Sequence, residues 1–160
     1  AQEEINTMAT EVILPKVDMD MASGKLRNTF TRKEGLANEY VFAVGVDSLG
    51  YKWFGTNAGG ASRYRDGKWK TFFPMHGLAD YWIYAFASQQ DGTLWIGTAK
   101  GLLCFREGQF IRYGPEQQMP ETTVAELLED RDGNLWVGTG RGLLRRTAAG
   151  FSAAPRASGE

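Results

Sequence analysis

The sequence predicts an all-β fold built from repeated four-stranded units, and three observations carry that prediction. The octet DGTLWIGT (91–98) returns as DGNLWVGT (132–139) and, more loosely, as LGYKWFGT (49–56). Trp53, Trp95 and Trp136 stand 42 and 41 residues apart, and so do Val41, Ile83 and Val124, the glycines Gly50, Gly92 and Gly133, and the aromatics Phe30, Phe72 and Tyr113. Within each period, short apolar runs are separated by glycine-bearing turn signals. A period near 41 marks a repeat architecture, so the unit has to be read before any single residue.

The second unit gives the strands most clearly: 82–88 (WIYAFAS), 93–98 (TLWIGT), 102–105 (LLCF) and 109–113 (QFIRY). Asp91-Gly92 and Asp132-Gly133 supply the first turn, with Gly50 serving the first unit, because these residue types tolerate the positive φ of a tight hairpin. Gly59-Gly60, Gly101 and Gly142 close the second turn, and Gly67 and Gly108 the third. The single extra residue of the first interval lies in GGASRY (59–64), one longer than GLLCF (101–105). The acidic run ELLED (126–130) aligns with AFASQ (85–89), which makes it strand rather than helix.

Runs such as VFAV (41–44) and LWIG (94–97) are apolar on both strand faces, the pattern of a sheet buried between two other sheets. Four-stranded sheets stacked face to face around an axis meet that demand, so the expected architecture is a β-propeller with one blade per repeat. The recurring tryptophan is expected to fill the gap between blades, where its truncation costs ~3–5 kcal/mol. SGKLRNTF (23–30) parallels DGKWKTFF (66–73), which makes residues 11–31 the last one or two strands of a preceding blade. The full division is a tail (1–10), the partial blade (11–31), blades at 32–73, 74–113 and 114–153, and a tail (154–160). About three and a half blades form an arc, either a partial propeller or part of a larger ring. Open ends expose apolar sheet faces, so the arc is expected to belong to a longer propeller chain or to associate with copies of itself.

Composition narrows the function. With 42% hydrophobic and 23% charged residues the chain has ordinary globular values, and a net charge of -1 leaves no basic surplus for nucleic acid. No apolar run approaches the ~20 residues of a membrane span. One cysteine, Cys104, excludes an internal disulfide or a multi-cysteine metal site, and with His76 the only histidine no metal or other cofactor is expected. Cys104 aligns with Arg63 and Arg145, so it is expected to face outward as a partly exposed thiol, with a disulfide-linked dimer as the sharper alternative. His76, in the loop PMHGL, has no nearby Ser or Cys to act on, so no catalytic residue is assigned.

DGTLWIGTAKGL (91–102) and DGNLWVGTGRGL (132–143), together with Asp130, resemble the two-component regulator propeller repeat, written D-x-x-G-x-L-W-x-G-T-x-x-G-L. GLADYWIYAFA (77–87) is similar to that family's linker into the inner strand, whereas the first unit departs with Tyr51-Lys52 and GGA. The resemblance covers about 26–153 and implies a non-enzymatic blade array from the periplasmic or extracellular sensor region of a bacterial signalling protein, in a family where several members respond to glycan fragments. The leading residues AQEE fit a mature chain left after signal removal. A self-assembling structural or engineered fragment is the alternative. A propeller-type lyase, of the kind that uses a histidine with a divalent metal, is disfavoured by a single histidine and the lack of clustered carboxylates.

Ligands of propellers meet the mouth of the central channel, built by the loop entering each inner strand and the loop after each Gly-Thr. The entering positions are Asn38 and Tyr40, Asp80 and Trp82, and Glu121 and Thr123, and the following ones are Asn57, Lys100 and Arg141. Tyr40 and Trp82 are suited to stack on a sugar face, with Asn38, Asp80 and Lys100 bonding hydroxyls. The competing reading is that both aromatics begin an inner strand and pack, and that Lys100 and Arg141 are ordinary solvated loop charges.

Overall fold

The computed structural model describes residues 18–20, 25–27 and 35–154. The expected tail 1–10, most of the partial blade including Phe30, and residues 155–160 lie outside the described residues. Three antiparallel four-stranded sheets follow one another along the chain, each a meander in sequence order. Blade 1 comprises β3 (Val41–Val46), β4 (Lys52–Thr56), β5 (Ala61–Arg65) and β6 (Lys68–Phe72). Blade 2 comprises β7 (Ile83–Ser88), β8 (Leu94–Thr98), β9 (Gly101–Arg106) and β10 (Gln109–Tyr113). Blade 3 comprises β11 (Val124–Glu129), β12 (Leu135–Thr139), β13 (Gly142–Thr147) and β14 (Gly150–Ala153). A separate hairpin of β1 (Asp18–Asp20) and β2 (Lys25–Arg27) precedes them. Short 3-10 turns at Pro74–His76 and Pro115–Gln117 link the blades, and among the described residues the sheets do not close into a ring.

The turns differ from the expected ones in which residue takes positive φ. At the first turn Gly92 has φ 86° and Gly133 80°, while Asp91 and Asp132 keep negative φ. That loop is five residues long and is organised by side chains instead: Asp47 Oδ1 accepts from Leu49 N and Tyr51 N, and Asp130 Oδ1 from Asp132 N and Asn134 N. The two-residue hairpins with positive φ at both positions are the third turns, Asp66-Gly67 (50° and 78°) and Glu107-Gly108 (52° and 82°), closed by the pairs Arg65–Lys68 and Arg106–Gln109.

The core lies between blades. Trp53, Phe72, Ile83, Leu94, Ile96, Leu103 and Phe105 join blades 1 and 2, and Trp95, Leu102, Val124, Leu135, Val137 and Phe151 join blades 2 and 3. Every residue of β8, the second strand of the central blade, is buried, as a sheet covered on both faces requires. The Gly-Thr dipeptides have separate jobs in this packing. A Cβ on Gly55 would lie 2.7 Å from Ile83 Cγ2, and one on Gly97 2.8 Å from Val124 Cγ1, so glycine lets the next blade's first strand approach. The threonine hydroxyls donate across the second turn, Thr56 to Gly60 O, Thr98 to Gly101 O and Thr139 to Gly142 O.

Cys104 corrects the sequence expectation. It is buried at 2% exposure in the cluster between blades 2 and 3, not on the surface, and burial raises its thiol pKa. The aligned arginines suggested solvent because their charge hides where their stems run. Arg63 lies 4.3 Å above the Tyr51 ring and within 6 Å of Trp53, Phe72 and Phe105, and Arg145 lies 5.9 Å from Trp136. This repeat position faces the following blade, and a guanidinium reaches it by stacking on aromatic rings.

Candidate functional site

In each blade a backbone hydrogen bond ties the loop entering the first strand to the loop leaving the second. Asn57 N donates to Tyr40 O, Ala99 N to Trp82 O and Gly140 N to Thr123 O, at 2.9, 3.1 and 3.0 Å. The expected mouth residues of every blade therefore sit at the same end of their sheet. The first strands of neighbouring blades also pack against one another, β3 on β7 and β7 on β11, which sets the three mouths side by side.

Asx turns aim the entering aromatics. Asn38 Oδ1 accepts from Tyr40 N at 2.8 Å, and Asp80 Oδ1 accepts from Trp82 N at 3.1 Å. Asp80 is buried, and its Oδ2 lies 3.2 Å from Lys100 Nζ, whose side chain stays 71% exposed. Arg112 donates to Lys100 O at 3.0 Å and holds the leaving loop. Asp80, Tyr81, Trp82, Tyr84, Ala99 and Lys100 line an open cavity of about 510 Å³.

The structure thus brings Asp80, Trp82 and Lys100 together. Tyr40 stands in blade 1 at 72% exposure, while Asn38 and Asn57 are half-buried in its mouth loops. Glu121 and Arg141 are exposed in the blade 3 loops and do not line this cavity, and Thr123 is turned to blade 2, its hydroxyl donating to Ala99 O. Trp53, Trp95 and Trp136 are structural: the first two are fully buried, whereas Trp136 on the last blade is only partly covered.

Phe42 and Tyr84 are site residues that the sequence reading missed. The register of each inner strand shifts between Val41 and Ala43, Ile83 and Ala85, and Val124 and Glu126, leaving Phe42, Tyr84 and Ala125 out of the ladder. Phe42 stacks with Trp82 at 6.3 Å and 20°, and lies 5.8 Å from Tyr84. Phe42 and Trp82 remain 48% and 39% exposed, so the stack is a surface platform rather than core. His76 is engaged locally, its Nδ1 accepting from Phe73 N at 3.0 Å.

Fold and site define an open arc of β-propeller blades with an aromatic and charged mouth. The sequence model described as "two component regulator propeller" matches residues 77–100 and 118–141, so segments in two of the three units are similar to that repeat. Among solved structures, the extracellular domain of the hybrid two-component system BT3049 from B. thetaiotaomicron is 25% identical with a TM-score of 0.72, covering 85% of this chain and 20% of that one. The extracellular domain of the one-component system BT4673 from the same organism is 23% identical with a TM-score of 0.66, covering 85% and 19%. Virginiamycin B lyase from Staphylococcus aureus is 20% identical with a TM-score of 0.54, covering 73% and 42%, a likeness of fold alone. The chain therefore spans about a fifth of the length of the two signalling domains. No curated protein matches it. Among the described residues no helix is long and apolar enough to cross a membrane.

Proposed function

We propose that the chain is a non-enzymatic set of blades from the extracytoplasmic sensing propeller of a bacterial two-component protein, and that it contacts a glycan fragment at the mouth between blades 1 and 2. The observation that carries this reading is the exposed Phe42–Trp82–Tyr84 platform beside the Asp80–Lys100 ion pair, over an open cavity. Flat apolar rings match the faces of a pyranose, and an ion pair at the edge supplies both an acceptor and a donor for hydroxyls. The likeness to extracellular signalling domains supports the extracytoplasmic location.

The test is calorimetric titration with a panel of neutral and acidic oligosaccharides, on the chain and on Trp82→Ala. Binding by one class, weakened about tenfold or more in Trp82→Ala and in Lys100→Ala, is the expected result. Binding that survives both changes would place the ligand elsewhere, and no binding across the panel would remove the glycan reading.

A further inference from the structure

We infer that Thr123 and Arg112 are positioning residues of the mouth: they fix the two-residue loop that carries Lys100, so that its ammonium is held at the edge of the aromatic platform. The inference rests on the reading of that mouth as a binding site. All four backbone polar groups of Ala99 and Lys100 are occupied. Ala99 N donates to Trp82 O at 3.1 Å, and Lys100 N to Thr98 Oγ1 at 3.1 Å. The two carbonyls are taken by side chains from different strands: Ala99 O accepts from Thr123 Oγ1 at 3.1 Å, and Lys100 O from Arg112 Nη2 at 3.0 Å. Thr123 stands at the entry to blade 3, and Arg112 lies on β10, the outer strand of blade 2. The mouth of blade 2 is therefore completed from blade 3.

The other repeats show that a blade forms without these two clamps. The backbone bond from the leaving loop to the entering loop recurs in all three blades, at Asn57, Ala99 and Gly140. The residue types that make the clamps do not recur. Tyr40 and Trp82 occupy the place of Thr123 in the other blades, and Arg112 aligns with Thr71 and Ala153. Thr71 Oγ1 is turned instead to Gly35 O and Ser62 Oγ, and alanine has no side-chain donor. The doubly clamped loop is also the one that sets a lysine beside Asp80 and Trp82 in the same cavity. One ammonium hydrogen serves Asp80 Oδ2 at 3.2 Å, which leaves two donors for an acceptor on a bound molecule. Ordering a long side chain costs free energy at the moment of binding, and a loop already fixed at its backbone has less to lose. Thr123 and Arg112 thus act through Lys100 and need touch no ligand themselves.

The experiment compares the full chain with Thr123→Val, Thr123→Ser and Arg112→Met by two readouts. Backbone nitrogen relaxation at Ala99, Lys100 and Gly101 reports the loop with no ligand present. Order parameters as high as those of the strands are expected in the unaltered chain. Thr123→Val and Arg112→Met should lower them at this loop and leave the other two mouths unchanged, while Thr123→Ser, which keeps the hydroxyl, restores them. The second readout is titration with glucuronate, a sugar ring with a carboxylate for Lys100, followed through the Trp82 indole and Lys100 signals. Its dissociation constant should rise about two- to tenfold in Thr123→Val and in Arg112→Met, as the loss of one net hydrogen bond implies, and return with Thr123→Ser. Order parameters that do not change, a change that serine does not reverse, or glucuronate bound equally well by every variant overturns the inference. Glucuronate that moves no mouth signal even in the unaltered chain would overturn the sugar reading instead, and the relaxation comparison still decides the positioning.

Discussion

The indole nitrogen of Trp53 donates to Oδ2 of Asp47 at 2.8 Å, tying the second strand of blade 1 to the start of the turn before it. The bond recurs in blade 2 from Trp95 to Gln89 Oε1 at 2.7 Å, and in blade 3 from Trp136 to Asp130 Oδ2 at 2.7 Å. The acidic or amide residue six places before each tryptophan thus organises the turn and sets the indole that fills the gap between blades. Asp47 is buried and also accepts from two backbone amides, so Asp47→Ala leaves three donors without a partner. The expected loss is about 2–4 kcal/mol in urea denaturation, with Asp47→Asn milder because its amide oxygen still accepts. A loss below about 0.5 kcal/mol would mean that water replaces the carboxylate.

Asp130 makes the same arrangement pH-dependent. The hydrogen bond from Trp136 lowers its pKa most; burial pushes the other way, and bonds from Asn134 and Asp132 lower it further, to about 2 from an ordinary 3.8. A folded value below the unfolded one means stability that is full above pH ~3.8 and lost as pH falls towards ~2. Thermal melting followed through that window should fall more steeply in the unaltered chain than in Asp130→Asn, which has no proton to bind there. Parallel curves would assign acid unfolding to other carboxylates. Asp91 contributes with the same sign: burial raises its pKa, but hydrogen bonds from Thr93 and the charges of Arg106 and Arg146 bring it below the ordinary value.

The repeat was legible because glycine and tryptophan positions follow from geometry that every blade shares. Equal offsets from Trp53 and Trp95 were enough to place Asp80, Trp82 and Lys100 at one mouth. What the letters hid was direction. Arginine at 63 and 145 reads as solvent-facing, yet the position points into the gap, so Cys104 was misplaced. Strict alternation along β7 puts Tyr84 on a blade face, and only the bulge after Ile83 takes it out of the ladder and beside Phe42. The turn anchor was not read from the sequence: Asp130 entered only as the first position of the resembled repeat, and in blade 2 Gln89 replaces the carboxylate with a longer side chain that bonds both Trp95 and Arg146.

Two glycines at the same repeat position separate blade packing from backbone conformation. A Cβ on Gly97 would stand 2.8 Å from both Cγ1 and the carbonyl oxygen of Val124, so Gly97→Ala forces blades 2 and 3 apart. On Gly138 the nearest atom is Glu126 Cβ of the same blade at 3.2 Å, and that exposed side chain has room to move. Neither glycine has positive φ, so alanine is not strained at either place. Gly97→Ala should cost about 1–3 kcal/mol by overpacking and Gly138→Ala less than about 1 kcal/mol. Equal losses in urea denaturation would show that the penalty arises within each strand, and the slot that blade 2 offers to Val124 would then not be what holds the glycine there.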